Sequence, residues 1–402
     1  MKGSICAVLA ATAVAVSCKK QETVNPSLVT STVEVMLGNP TTKAFGVGKT
    51  ETWEQTLNNV ALFVYESGQD ACAYQRQFTD YEVEKGKAVF AIPNVKENTT
   101  YDFYAVANCD FSTEMSNYPT APGVTRTDLL AKCEGVLGSG GSSSNSTFGS
   151  LQSYQGAFSA VTSGAMRGKD SGSKNVGFIM SGMQSEKTPI AGENKPTRVT
   201  VPLKRTVAKV EIEATTTATF HTSKYPGSTL TVTGAKLTNL ANKTTLIRPT
   251  TFTTAALGTK VELAQTPAVV AANGNETSNN PYALYRNLFY MYENSDGTTE
   301  LDPLFAPVLV LEAEFDFDGN STTKDDISKI TYNIKLAGEA AATGAGSNPQ
   351  PGDANFGLFV RNGSYFVNIS INGLTENEVV AQIEVKDWEP LKTQNVEIGN
   401  KN

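Results

Sequence analysis

Apolar side chains recur at every second position in short segments along the chain. The first clear case sets Val29, Val33, Val35 and Leu37 against Thr30, Thr32, Glu34 and Met36. A period of two puts one set on each face of a pleated strand, here one dry face and one wet. Gly38-Asn39-Pro40 ends it. The same signal predicts strands over 60–65, 88–92, 101–107, 176–180 and 198–203. A second series covers 207–212, 230–240, 283–292, 308–317, 329–336, 365–371, 379–385 and 394–398. In 207–212, Thr206, Ala208, Val210 and Ile212 alternate with Val207, Lys209 and Glu211, which puts Lys209 and Glu211 on a wet face as a solvated pair. One short helix is predicted over 127–133, with Thr127 as N-cap and Asp128 in the first turn. No 3.6-residue periodicity is sustained anywhere. Short strands separated by loops predict an all-β fold of two tandem β-sandwiches with few short helices. The boundary is placed at Leu203-Lys204-Arg205, giving domains over 44–203 and 204–402.

The amino terminus reads differently. Lys2 precedes an apolar run over 5–16, too short to span the roughly 30 Å of a bilayer core, so it is the core of a signal peptide over 1–17. The run ends in Ala15-Val16-Ser17-Cys18, which resembles a bacterial lipobox with Ala15 where Leu is more usual. That resemblance implies cleavage before Cys18 and acylation of its sulfur and amine. The alternative is ordinary secretory cleavage near Ala13 or Ala15. Either route leads out of the cytoplasm. Residues 18–43 then form a polar tether and the first strand.

Composition removes several function classes. The 402 residues include 33 basic and 40 acidic side chains, a net charge of −7, which argues against phosphate-backbone binding and so against a nucleic-acid partner. A single histidine, His221, leaves little room for imidazole metal sites or histidine acid–base chemistry. Cys6 leaves with the signal and Cys18 is taken by lipid. Cys72, Cys109 and Cys133 remain, an odd set without C-x-x-C spacing, read as core or half-buried thiols. Gly46-Val47-Gly48-Lys49-Thr50 ends like a P-loop, but Lys43 stands where its first glycine would be. Asp316-Phe317-Asp318-Gly319-Asn320 offers oxygens, yet lacks a bidentate Glu twelve positions on, and is read as a hairpin turn. His221 has no Gly-x-Ser-x-Gly partner. The chain is therefore read as non-enzymatic, with no cofactor and no metal. The competing class is a glycan-binding surface lipoprotein, for which Trp53 and Trp388 are the available indole planes.

Five segments carry a specific likeness. They are Phe178-Ile179-Met180-Ser181-Gly182, Pro202-Leu203-Lys204-Arg205-Thr206-Val207-Ala208-Lys209-Val210-Glu211-Ile212, Phe289-Tyr290-Met291-Tyr292-Glu293-Asn294, Arg361-Asn362-Gly363-Ser364-Tyr365-Phe366-Val367-Asn368-Ile369 and Val385-Lys386-Asp387-Trp388. In this order they resemble the Bacteroidales fimbrillins, the major-fimbrial-subunit-like group that builds type V pili. The resemblance implies transthyretin-like sandwiches, export as a lipoprotein to the outer membrane, and trimming by a trypsin-like surface protease. It also implies polymerisation with other fimbrillin subunits by donor-strand exchange, in an adhesive fimbria whose surface receptor the sequence does not name. Carried onto this chain, the removable strand contains Val29, Val33, Val35 and Leu37. The cut falls between Lys43 and Ala44, with Lys49 as second choice. Many members of the group have Arg at the cut, and no Arg precedes Arg76 here. The donor strand is the carboxy-terminal segment with Gln394, Val396 and Ile398 on one face. A shaft subunit is the first expectation, a tip or accessory subunit the second and an anchor the third.

Overall fold

The computed structural model describes residues 30–38, 59–78, 82–84, 87–96, 98–134, 178–187, 197–250, 253, 258–265, 282–294, 306–320, 322, 326–336 and 359–387. These contain nineteen strands and few short helices, as the alternation predicts. In the amino-terminal half the strands are β1 (Thr30–Gly38), β2 (Val60–Glu66), β3 (Cys72–Phe78), β4 (Glu82–Glu84), β5 (Lys87–Lys96) and β6 (Tyr101–Ala107). Two helices follow, α1 (Ser112–Met115) and α2 (Arg126–Ala131), then β7 (Cys133–Glu134), β8 (Met180–Lys187), β9 (Thr197–Pro202) and β10 (Lys204–Arg205). The other half carries β11 (Val207–Thr216), β12 (Thr229–Ala241), β13 (Thr244–Thr245), β14 (Lys260–Gln265), β15 (Ala283–Tyr292), β16 (Val308–Asp316), β17 (Ile327–Lys335), β18 (Gly363–Ile371) and β19 (Val379–Asp387).

Sheet order in the first half is β4-β5-β1-β9 facing β10-β8-β6-β2-β3. The interleaved core joins Val33, Val35, Leu37, Val199 and Val201 of the first sheet to Leu62, Val64, Phe103, Ala105 and Met180 of the second. The outer face of the five-stranded sheet is also dry. Phe63, Tyr65, Tyr104 and Val106 pack there against Phe111, Met115, Leu129 and, from the far half, Leu246 and Ile247. That double burial explains why β2 and β6 are apolar at nearly every position, as strands covered on both faces are. In the second half β15-β11-β18-β19 faces β14-β12-β16-β17 around one continuous core. Sheet membership changes between Arg205, which still pairs with β8, and Val207, which pairs with Tyr292.

Several sequence expectations are corrected. The α2 cap is Thr125, whose hydroxyl accepts from the Asp128 N–H at 3.1 Å, while Thr127 donates to Asp70. The strand expected over 176–180 begins only at Met180. Lys209 is buried, because β11 lies between β15 and β18, and Glu211 pairs instead with Arg286 across the ladder, Nε to Oε1 3.2 Å. Strands β3, β4 and β14 and the two-residue β7, β10 and β13 fall outside the expected set; β3 alternates weakly, whereas β14 (KVELAQ) alternates over too few residues to stand out. In β3 the glutamines at the apolar positions satisfy backbone rather than pack: Gln75 accepts from Val124 N–H, and Gln77 accepts from Phe111 N–H and donates to Cys109 O. The segment of Asp316 and Asp318 is the hairpin between β16 and β17, as expected. Cys72, Cys109 and Cys133 are thiols not joined by a disulfide, with Cys109 buried and the other two half-buried.

Candidate functional site

Two places concentrate the residues singled out in the sequence. The first is β1 and the slot it fills. β1 lies inside its sheet, antiparallel to β5 with Val33 opposite Ile92 and Val35 opposite Phe90. On the other side it runs parallel to β9, with Val35 opposite Val199 and Leu37 opposite Val201. Alternation turns Val33, Val35 and Leu37 into the core, where they are at most 4% exposed. Burying three such side chains is worth about 4.5–9 kcal/mol gross. Both ladders of β1 are satisfied, so withdrawing it would leave two facing rows of unpaired N–H and C=O groups. Val29, Cys18, Lys43, Ala44, Lys49, Gln394, Val396, Ile398, Trp53 and Trp388 lie outside the described residues.

The second place is where four of the five sequence motifs meet. Arg361 and Glu293 form a buried ion pair, each side chain 1% exposed, with Arg361 Nε 2.7 Å from Glu293 Oε1. The same guanidinium donates to Leu246 O at 3.1 Å, Thr245 O at 2.9 Å and Thr244 Oγ1 at 3.0 Å. Arg248 Nε stands 3.6 Å from the other Glu293 oxygen. The segment that Arg361 grips belongs by sequence to the second half but bonds to the first. β13 pairs with β7, Leu246 N–H donates to Lys132 O at 2.8 Å, and Ser181 Oγ donates to Leu246 O.

The neighbouring motifs tighten the same joint. Phe178 leaves the first half to pack on Tyr290, centroids 4.9 Å apart, while its carbonyl accepts from Asn108 Nδ2 at 2.6 Å. Thr206 N–H donates to Ile179 O at 3.0 Å. Arg205 is fully buried and donates from Nη1 to Asn362 Oδ1 at 3.1 Å, and Asn362 N–H donates to Val207 O at 2.8 Å. Asn294 exchanges hydrogen bonds with Phe359, and Val360 N–H donates to the Tyr365 hydroxyl at 2.9 Å. Gly182 is required by proximity: a Cβ there would sit 1.9 Å from Pro202 O. The motifs that carry the resemblance are thus a structural joint. The alternation pattern by itself places them on separate strands as scaffold. The available signal was the presence of Arg and Glu inside otherwise apolar strands, since buried charges require partners.

His221 is a packing residue here. Its Nε2 lies 2.6 Å from Thr216 Oγ1, and its ring stacks on Tyr282 at 5.0 Å. Burial pushes the Cys72 thiol up to about 11, against hydrogen bonds to the Val64 and Tyr74 carbonyls. That leaves it a poor nucleophile near neutral pH.

The family model described as fimbrillin-A associated anchor proteins Mfa1 and Mfa2 matches residues 38–392. Among solved structures, the tip fimbrial protein Mfa3 from Porphyromonas gingivalis, with C-terminal truncation, is 15% identical, with a TM-score of 0.49 over 89% of this chain and all of that one. A fimbrilin from Porphyromonas gingivalis W83 is 15% identical, with a TM-score of 0.48 over 89% of this chain and 97% of its own. The fimbrial anchor protein Mfa2 from Porphyromonas gingivalis is 10% identical, with a TM-score of 0.38 over 90% of this chain and all of that one. No curated protein sequence matches.

Proposed function

The chain belongs to the family of fimbrillin-A associated anchor proteins Mfa1 and Mfa2; on that premise we propose that it is a shaft subunit of an adhesive surface fimbria, exported as a lipoprotein and polymerised by donor-strand exchange. Family membership points to a structural protein of a cell-surface appendage rather than an enzyme. The observation that carries the assembly step is the place of β1. It fills an interior slot of its sheet with three buried aliphatic side chains, and it ends at Gly38, five residues before Lys43. A strand in that position cannot simply be lost, because its core and ladder groups demand a replacement. Cutting after Lys43 frees it, and a neighbour's carboxy-terminal segment, with Gln394, Val396 and Ile398 facing in, takes the slot. The partners are then other fimbrillin subunits, a trypsin-like surface protease and, before trimming, outer-membrane lipid through Cys18. The two units of 44–203 and 204–402 act as tandem sandwiches. Sheet membership supports a joint at Thr206, within three residues of that division.

A second reading is an anchor subunit, favoured by the family's description, in which the cut does not occur and lipid is retained. Two measurements decide. The protein purified from the cell surface starts at Ala44 if it is a polymerised shaft subunit, and at acylated Cys18 if it is an anchor. Protease treatment of the purified precursor yields ladders on denaturant-free gels, and the double variant Val396→Asp, Ile398→Asp yields monomers only. Fibres of normal length from that variant refute the donor assignment.

A further inference from the structure

A cleft of about 750 Å3 opens along β3, the terminal strand of the five-stranded sheet among the described residues. Five consecutive residues, Ala73 to Gln77, line it, so it follows the strand's edge and draws on both of its faces. An open strand edge usually invites another strand. Here that use is closed. The Tyr118 hydroxyl donates to Ala73 O at 2.8 Å, and the segment after β6 is tied to the other end of β3 through Gln77. A continuous ladder cannot form past Tyr118, and what remains is a walled cleft for a compact ligand.

Its chemistry is specific. Tyr74 and Tyr118, both half-buried, contribute rings with hydroxyl tips, and the buried Tyr101 closes the floor. Two cations lie at the rim, but they are not equivalent. Lys96 is neutralised by Glu66 at 2.8 Å. Arg76 is exposed and is held in place by its own strand, its Cζ 4.7 Å from the Phe78 ring centroid. A guanidinium fixed in that way is a ready fork for a planar anion such as a carboxylate.

We propose that this cleft is a carbohydrate site, and that it takes a short saccharide carrying a carboxylated sugar. The carboxylate sits on Arg76, and the ring hydroxyls meet Tyr74 and Tyr118. The volume lies within the range of small-ligand clefts, about 300–1,000 Å3, and aromatic faces beside convergent polar groups suit sugar rings.

The test is calorimetric titration of the full chain with sialyllactose, a glucuronate-terminated disaccharide and lactose. The acidic sugars bind and lactose binds more weakly. Arg76→Gln, at an exposed position, leaves the melting temperature unchanged, weakens the acidic sugars by roughly ten- to a hundredfold and leaves lactose as before. Tyr74→Leu weakens all the sugars that bind. The proposal is overturned if the wild-type protein binds none of the three, or if Arg76→Gln binds the acidic sugars as tightly as the wild type. Arg76→Gln still polymerises, whereas the donor-strand variant does not, so this site and the assembly reading fail separately.

Discussion

Replacing Arg361 by Met keeps an unbranched chain of similar length and removes only the guanidinium. Three acceptors then lose a donor: Glu293 Oε1, Thr245 O and Thr244 Oγ1, while Leu246 O keeps the Ser181 hydroxyl. Glu293 remains buried with Arg248 at 3.6 Å as its remaining cation. Removing one member of a buried ion pair costs about 3–5 kcal/mol, and the residual Arg248 contact places this case toward the lower end. That is a large part of the roughly 5–15 kcal/mol that holds an ordinary domain. Removing both charges, with Glu293→Met added, relieves the uncompensated carboxylate and leaves mainly Thr245 O unpaired, a cost of about 1–3 kcal/mol. The double variant is therefore more stable than Arg361→Met alone. Urea unfolding with linear extrapolation measures both values. Hydrogen exchange of peptides from β2–β6 and from β11–β18 adds a local readout: in the wild type the two groups open together, and in Arg361→Met they open with separate free energies. A single-variant loss below about 1 kcal/mol, or a double variant as unstable as the sum of its parts, refutes the joint as a coupling element.

Two further outcomes follow from local geometry. Gly182→Ala forces a methyl to within 1.9 Å of Pro202 O, a backbone atom that cannot rotate away, so β8 and β9 separate; the unfolding free energy falls by about 1–3 kcal/mol, and an unchanged urea midpoint would show the contact to be slack. Glu378 is held down to about 2, below its ordinary 4.5, first by the Lys224 ammonium and then by the Thr375 hydroxyl and N–H. A depressed carboxylate stabilises the fold fully above pH 4.5 and loses that contribution as pH falls from 4.5 to 2. The urea midpoint of the wild type therefore drops more steeply across that window than that of Lys224→Met, and parallel curves would remove Glu378 as a contributor.

Some strands are legible almost to the residue, β1 from its alternation of apolar and polar positions and β6 and β15 from runs rich in apolar and aromatic residues. β6 and β15 coincide with their expected bounds, and β1 differs by one residue at each end. The failures share a cause. β3 uses glutamine side chains to hold flanking backbone, so hydrogen bonding replaces the apolar residues the pattern requires. Lys209 was assigned to water because lysine usually seeks it, yet β11 is interior to its sheet and covered on both faces. Thr125 and Thr127 are both acceptable caps by composition, and only Asp70, distant in sequence, separates them by engaging Thr127. The joint was visible as motifs but not as a place. Arg361 and Glu293 are 68 positions apart, and Arg361 and Leu246 are 115 apart. No local pattern brings such residues together.

Connectivity also links the slot of β1 to that joint. β9 forms one wall of the slot, with Val199 opposite Val35 and Val201 opposite Leu37. The same strand ends at Pro202, where it meets Gly182, and after the single residue Leu203 β10 begins and carries the buried Arg205 to Asn362. A strand seated in the slot therefore bonds directly to the segment that enters the second core. If a neighbour's strand replaces β1, tension along a filament passes from that strand through the β9 ladder to Arg205 and Asn362, then into β11 and β18, which are paired in parallel over eight positions from Lys209 to Thr216. Parallel strands pulled along their length are loaded in shear, so their ladder bonds share the force. The buried Arg361–Glu293 pair stands beside that route and holds β13 and β7 across it. In a filament assembled as proposed, the joint would be where force leaving one half of the chain enters the other, a physical reason for it to be rigid and dry.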